Sequence, residues 1–155
     1  MPLLHAALRW NYVLVTALCG SFLAQFIKVI LNLFIFHRFI PERMWGAGGM
    51  PSSHSATVCA MVVATGRYCG VNSPLFAIAA VLSIIVMYDA MGVRYETGEQ
   101  AKVLNRMFTE WMDQGFEQFQ LPHGKKLKEM VGHTPIEVVT GAALGIVLGF
   151  AMPMV

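Results

Sequence analysis

Charged residues are scarce in this sequence. Aspartate, glutamate, lysine and arginine make up 13% of its 155 residues, whereas 56% are hydrophobic. Soluble globular domains carry about 25% charged residues, so this scarcity argues against a soluble protein. The net charge of +2 is too small to indicate a nucleic-acid partner. The composition predicts an integral membrane protein whose apolar side chains face lipid.

Cysteine is also rare, and its spacing excludes familiar sites. Cys19, Cys59 and Cys69 lie within or at the ends of apolar runs and show no CxxC spacing. Zinc and dithiol sites usually need that spacing, so we interpret these residues as small buried hydrophobic side chains. The start of the chain lacks a basic stretch followed by a small-residue cleavage site, and we expect its first apolar run to be retained.

Four apolar runs are candidates for membrane helices. They cover residues 12–36, 53–68, 74–88 and 134–152, and the chain length suits a single domain, 1–155. The 99–119 segment predicts an amphipathic helix, either packed on the bundle or lying at the interface as a lid. Its expected apolar face comprises Leu104, Met107, Phe108, Trp111 and Phe119. The predicted fold is an all-α integral membrane bundle of about four transmembrane helices plus this one.

Threading the four spans gathers the polar residues at one membrane face. Nine of the eleven lysines and arginines and all nine acids fall on that side. By the positive-inside rule this face is cytoplasmic, with both termini outside, although a phosphate site would gather the same basic residues. The gathered candidates are Lys28, Ser52, Ser53, His54, Asp89, Arg94, His133 and Glu137.

Lys28 is unusual because an ammonium group inside a transmembrane helix is costly unless it faces a wet cavity. Gln25, Lys28 and Asn32 recur at helical spacing and share one face of the first helix. This polar stripe favours a cavity-facing lysine over one that snorkels to the helix end.

The stretch "GGMPSSHSAT", residues 48–57, interrupts the apolar pattern. Glycines such as Gly49 permit close backbone approach, and Ser52 or Ser53 can cap the helix that follows. Free amides at a helix start bind anions, and His54 would project into that site. Alone, a serine cap with a histidine is more often structural than catalytic.

The fourth span begins with His133 and Glu137 one turn apart. The carboxylate can therefore hydrogen-bond one imidazole nitrogen and make the other more basic, which suits a nucleophilic or basic histidine. Gly141, Gly145 and Gly149 continue the Glu137 face and predict close helix packing. Two uses of this glycine stripe stay open, packing within the chain and a homodimer interface.

Together these groups predict phosphoryl transfer to water. Basic groups and helix amides would hold the phosphate oxygens, one histidine would attack phosphorus, and the other would protonate the leaving oxygen. This scheme needs neither a metal nor another cofactor. Asp89 and Arg94 have a second interpretation, a simple salt bridge at a helix end.

The chain resembles the divergent branch of the type 2 phosphatidic acid phosphatase superfamily. The resemblance rests on Lys28 and on the motifs "GGMPSSHSA" (48–56), "DAMGVR" (89–94), "GEQAKVLN" (98–105) and "LKEMVGHTPIEVVTG" (127–141). It implies that His133 is the nucleophile, that His54 is the acid on the leaving group and that Glu137 orients His133.

The same resemblance implies a phosphate cradle formed by Gly49, Ser52 and Ser53, with Lys28 as its lysine. Two arginines of the superfamily pattern are missing, because positions 35 and 127 are Ile and Leu. Arg94 would substitute for one of them, and Arg38 or Arg43 would substitute for the other. Gln25, Asn32 and Asp89 would support the site.

The leading function hypothesis is therefore a lipid phosphate phosphatase in a bacterial inner membrane or its organellar equivalent. A cytoplasmic site favours phosphatidylglycerophosphate or phosphatidate over a polyprenyl phosphate or diphosphate. The alternative is a non-catalytic protein that binds anionic lipid or a phosphorylated ligand. A cation site built from the histidines and acids is disfavoured by Lys28, and vanadate-dependent halide oxidation, a superfamily analogy alone, ranks last.

Overall fold

The computed structural model describes residues 2–36, 49–114, 126–129 and 131–154. Regular structure in this part of the chain is entirely helical, which confirms the all-α class. The helices are α1 (Pro2–Phe36), α2 (Ser53–Cys69), α3 (Pro74–Met91), α4 (Val93–Asp113) and α5 (Pro135–Ala151).

Among the described residues, two stretches are long and apolar enough to cross a membrane, fewer than the four predicted. They are Trp10–Phe34 within α1 and Pro74–Asp113, which joins α3 to α4. The remaining helices, α2 and α5, have 17 residues each and measure about 25 Å at 1.5 Å per residue. The architecture is consistent with a helical membrane protein.

The composition of α2 follows from its central position. It packs against α1, α3 and α5, and Ala56, Ala60 and Ala64 are completely buried in it. A helix surrounded by other helices needs small side chains for close approach more than it needs large apolar ones for lipid. This is why α2 is less hydrophobic than a lipid-facing span.

The glycine stripe of α5 packs inside the chain. Gly141, Gly145 and Gly149 are all buried. A Cβ atom at Gly141 would overlap the Ser52 carbonyl oxygen, and one at Gly145 would overlap that of Ala56. The glycine stripe is therefore not exposed, because α2 already covers this surface, and a homodimer stays a prediction without this surface to support it.

The membrane helix in α1 begins where the sequence predicts, although the residues before it are helical as well. Asn11 breaks the helix with a φ of −158° and a ψ of 95°. Its side-chain oxygen accepts a hydrogen bond from the Leu14 amide at 3.0 Å, as an N-cap residue does. The long α1 is thus two helical segments joined at a kink.

The amphipathic helix α4 starts earlier than expected and buries a different face. It follows α3 after a break at Gly92, and Gly98, Ala101 and Asn105 are its buried residues. Leu104 and Met107, on the predicted apolar face, are 44% and 39% exposed. The backbone of Glu129 and Val131 lies so close to Gly98 of α4 that no larger side chain fits between them. The predicted Phe119 lies outside the described residues.

Arg67 holds the opposite end of the bundle together. One guanidinium nitrogen donates to the Tyr12 hydroxyl at 2.9 Å and to the carbonyl oxygens of Gly149 and Met152 at 2.7 and 2.8 Å. The last carbonyls of a helix have no partner within that helix. Arg67 supplies one, and thereby ties α2 to α1 and α5.

Candidate active site

His133 and Glu137 form a hydrogen-bonded pair at the start of α5. Glu137 lies in the first turn, where its Oε2 accepts from the Thr134 amide at 3.1 Å. The same oxygen is 3.1 Å from His133 Nδ1. An ionised carboxylate only accepts hydrogen bonds, so Nδ1 carries the proton of the neutral imidazole. The lone pair is therefore on Nε2.

The backbone places His133 between α3 and α5. Its amide donates to the Ala90 carbonyl oxygen at 3.0 Å. The preceding residue, Gly132, has a φ of +86°, and a Cβ there would overlap the Tyr95 nitrogen. Both the conformation and the contact require glycine. The chain thus crosses the α3–α4 corner immediately before the histidine.

Burial sets the protonation state of His133. The side chain is 2% exposed, and its Nε2 has no hydrogen-bond partner among the described residues. Burial lowers the pKa of His133, while the hydrogen bond and the charge of Glu137 raise it with a smaller effect. The imidazole is therefore neutral at neutral pH, with a free nitrogen lone pair.

A cavity of about 260 Å³ connects the two histidines. The His54 and His133 rings meet edge to face, with their centroids 6.0 Å apart. Asp89 and Arg94 contribute polar groups to the wall of the cavity. The full lining consists of His54, Ile85, Val86, Asp89, Ala90, Arg94 and His133. Its polar and apolar groups therefore lie side by side.

Arg94 pairs with Asp89 at the edge of this cavity. Its Nε lies 2.6 Å from Asp89 Oδ2, and the two side chains are 50% and 41% exposed. The salt bridge was one of the two interpretations left open by the sequence. Its partners nevertheless both line the cavity, so Arg94 remains close to the two histidines.

Lys28 is enclosed by the protein and does not snorkel. It is 2% exposed, and Gly49, at a φ of +86°, lies against its methylene groups. Its ammonium group is close enough to interact electrostatically with Glu137, His54 and His133. Lys28 therefore belongs to the same polar cluster, although it is not among the residues that line the cavity.

The neighbours of Lys28 on α1 are partly enclosed as well. Gln25 and Asn32 are both half-buried, and the side-chain oxygen of Gln25 is a buried acceptor without a partner in the described part of the chain. The predicted polar stripe of α1 thus faces the bundle. The other two candidates for the phosphate site, Arg38 and Arg43, lie outside the described residues.

Ser52 and Ser53 are buried and are not among the residues that line the cavity. Ser52 is fully buried, and its Oγ accepts from the amide and the hydroxyl of Ser55 at 3.3 and 3.0 Å. Its own amide donates to the Glu137 carbonyl oxygen at 3.0 Å. The hydroxyl therefore caps α2, and the backbone fixes α2 against α5.

Sequence reasoning assigned no role to Asn105. Its buried side chain bonds to residues 127 and 129, just before His133. The sequence offers one sign of this role, a row of small or polar residues at helical spacing within the motif at 98–105. These residues are Gly98, Ala101 and Asn105.

No three His, Cys, Asp or Glu side chains in the described ranges are grouped so that they could hold a metal ion.

Fold and site together define a helical membrane protein with a carboxylate-anchored histidine and a second histidine across a small cavity. Residues 9–148 match the Divergent PAP2 family, and the chain belongs to that family. It is 38% identical over 144 residues to the "Uncharacterized membrane protein YuiD" of Bacillus subtilis (strain 168), covering 89% of this chain and 91% of that protein. No solved structure is significantly similar to this chain.

Proposed function

We propose that this protein is a membrane phosphatase that releases phosphate from a lipid phosphomonoester through a phosphohistidine intermediate. The observation that carries the proposal is the state of His133. Glu137 holds its Nδ1, and its buried Nε2 has no described partner at a cavity that His54 shares. An oriented imidazole with one free nitrogen is what a nucleophilic histidine requires.

The reaction would proceed in two displacements. The Nε2 lone pair of His133 forms a bond to phosphorus while the bond from phosphorus to the ester oxygen breaks, and His54 gives its proton to that oxygen. Glu137 stabilises the positive charge that develops on the imidazole. Water then attacks the phosphorus, His54 takes a proton from it, and the bond to His133 breaks.

The lining of the cavity supports an amphiphilic substrate. Ile85 and Val86 belong to α3, which lies in a stretch long and apolar enough to cross a membrane, and they line the cavity together with Asp89 and Arg94. An acyl chain would remain on the apolar side while the phosphate reaches the histidines. A site on the cytoplasmic face would favour phosphatidylglycerophosphate or phosphatidate over a polyprenyl phosphate or diphosphate.

A non-catalytic role is the second candidate, and the ion pair of Arg94 favours it. An arginine already paired at 2.6 Å with Asp89 is less available to stabilise a transition state than an unpaired one. Such a protein would bind anionic lipid headgroups or a phosphorylated ligand without turnover.

The deciding experiment measures phosphate release in detergent, with a chelator present, from a panel of lipid phosphates. The parent protein should release phosphate and His133→Ala should not. Glu137→Gln should lose most of the rate, whereas Glu99→Gln, which removes a carboxylate from an exposed pair with Lys102, should retain it. The thermal unfolding transition of each variant in detergent shows whether it is folded.

A phosphorylated intermediate provides an independent check. Labelled phosphate from the substrate should remain on the parent protein in an acid-labile form and should be absent from His133→Ala. Undiminished release by His133→Ala would contradict the mechanism. Folded parent protein that binds vanadate but releases no phosphate from any lipid would support the non-catalytic role.

A further inference from the structure

The non-helical segment that leads into His133 is fixed to α4 by one side chain. Asn105 is 4% exposed, and its amide nitrogen donates to the Leu127 carbonyl oxygen at 2.9 Å and to Glu129 Oε1 at 2.8 Å. Its amide oxygen accepts from the Leu127 nitrogen at 2.9 Å. Both ends of this amide are used, as buried polar groups require.

Close backbone contact continues from this point towards the histidine. A Cβ atom at Gly98 would lie 2.6 Å from the Glu129 carbonyl oxygen and 2.8 Å from that of Val131. Gly132 then contacts the start of α4, and the His133 amide bonds to Ala90. The described residues between 126 and 133 therefore follow the α3–α4 corner without forming a helix of their own.

This arrangement determines where the imidazole of His133 lies. A segment outside helices and strands has no backbone ladder to fix its position, so its path depends on the contacts it makes. Asn105 supplies the contacts farthest from His133 along the segment, and the Ala90 bond supplies the last one. A displacement of about 1 Å at a reacting group can reduce the rate about 100-fold.

We propose that Asn105 is a positioning residue that sets the location of His133 relative to His54 by fixing residues 127–129 to α4. The inference rests on the proposed function where catalysis is concerned. Its structural part, that the Asn105 amide orders the approach to His133, stands without turnover.

Three variants test the proposal. Asn105→Ala removes all three hydrogen bonds, whereas Asn105→Asp retains the acceptor for the Leu127 amide and loses both donors. Gln100→Ala is the matched control, because it removes a side-chain amide from an exposed position on the same helix. Hydrogen exchange at Leu127 reports on the segment, and the ¹⁵N resonances of the labelled histidine rings report on His133 and His54 separately.

In Asn105→Ala, exchange at Leu127 should accelerate by at least about tenfold, since its amide loses its partner. The His133 ring resonance should shift while that of His54 stays, and kcat should fall about 10- to 100-fold with KM within about threefold. Asn105→Asp should protect Leu127 better than alanine does and should still shift His133. Gln100→Ala should match the parent in all measurements.

Two results would overturn the inference. One is unchanged exchange at Leu127 in a folded Asn105→Ala protein. The other is faster exchange at Leu127 with an unmoved His133 resonance, which would make Asn105 a support for the segment alone. Absence of turnover in the parent would refute the proposed function instead, and the exchange and resonance measurements would still decide whether Asn105 positions His133.

Discussion

Replacing Gly141 by alanine tests the close contact between α5 and the start of α2. A Cβ atom at Gly141 would overlap the Ser52 carbonyl oxygen and would lie 3.0 Å from the Ser52 nitrogen. Both atoms belong to the backbone, and that nitrogen also donates to the Glu137 carbonyl oxygen at 3.0 Å. The overlap can be relieved only if the two helices separate.

Two effects of opposite sign determine the change in stability. Alanine favours a helix over glycine by about 1 kcal/mol. Overpacking against atoms that cannot yield costs about 3 kcal/mol, the upper end of the usual range. The free energy of unfolding should therefore fall by about 2 kcal/mol, and Tm should fall by about 4–8 °C in a chain of this length.

Thermal unfolding in detergent, followed by tryptophan fluorescence, measures this change. Gly66→Ala is the matched control, because its added Cβ would meet the Phe76 ring at 3.1 Å. A ring can turn where a backbone cannot, so this variant should keep most of the gain of about 1 kcal/mol in helix propensity and should be at least as stable as the parent. A Gly141→Ala protein as stable as the parent would refute the close packing of α5 on α2.

Two further predictions concern the other end of the bundle and the pH dependence of the site. Arg67→Met should lower the free energy of unfolding by about 2 kcal/mol, because the carbonyl oxygens that Arg67 bonds lose a charged donor. Thermal unfolding checks this, and an unchanged Tm would contradict it. Because the pKa of His133 is below the ordinary histidine value of 6.5, phosphate release should persist as pH falls through 6.5. Glu137→Gln removes the negative charge that raises the pKa of His133, so the acid limb of the pH profile of its residual activity should lie at lower pH. An upward shift of that limb would contradict this account.

Helix periodicity was sufficient to predict much of the architecture. The fourth-residue spacing of His133 and Glu137 predicted their hydrogen bond, and the spacing of the α5 glycines predicted a close helix contact. Counting membrane spans from one face to the other also predicted that His54 and Asp89 lie near His133 and Glu137. Each of these inferences uses only the geometry of a helix and the thickness of a bilayer.

The features that periodicity could not predict depend on long-range backbone contacts. Asn105 bonds to a segment 22 residues away that has no helical pattern, so no spacing rule connects them. The buried face of α4 was not predicted, because the sequence marks the face of large apolar residues such as Leu104, whereas a nearby backbone selects small residues such as Gly98. The glycine stripe itself does not indicate whether its partner is α2 or a second copy of the chain.

The formal charges of the site bear on how it would bind phosphate. Among the described residues at the site, Lys28 and Arg94 carry positive charge, Glu137 and Asp89 carry negative charge, and the sum is zero when both histidines are neutral. A phosphate monoester dianion gains little electrostatic stabilisation from a site whose net formal charge is zero. Its binding therefore favours the uptake of a proton by the site. Burial keeps His133 neutral although Glu137 favours its protonated form, which leaves His54, the exposed member of the pair, to take that proton. The leaving oxygen needs the same proton, so substrate binding itself would prepare the acid for the first displacement.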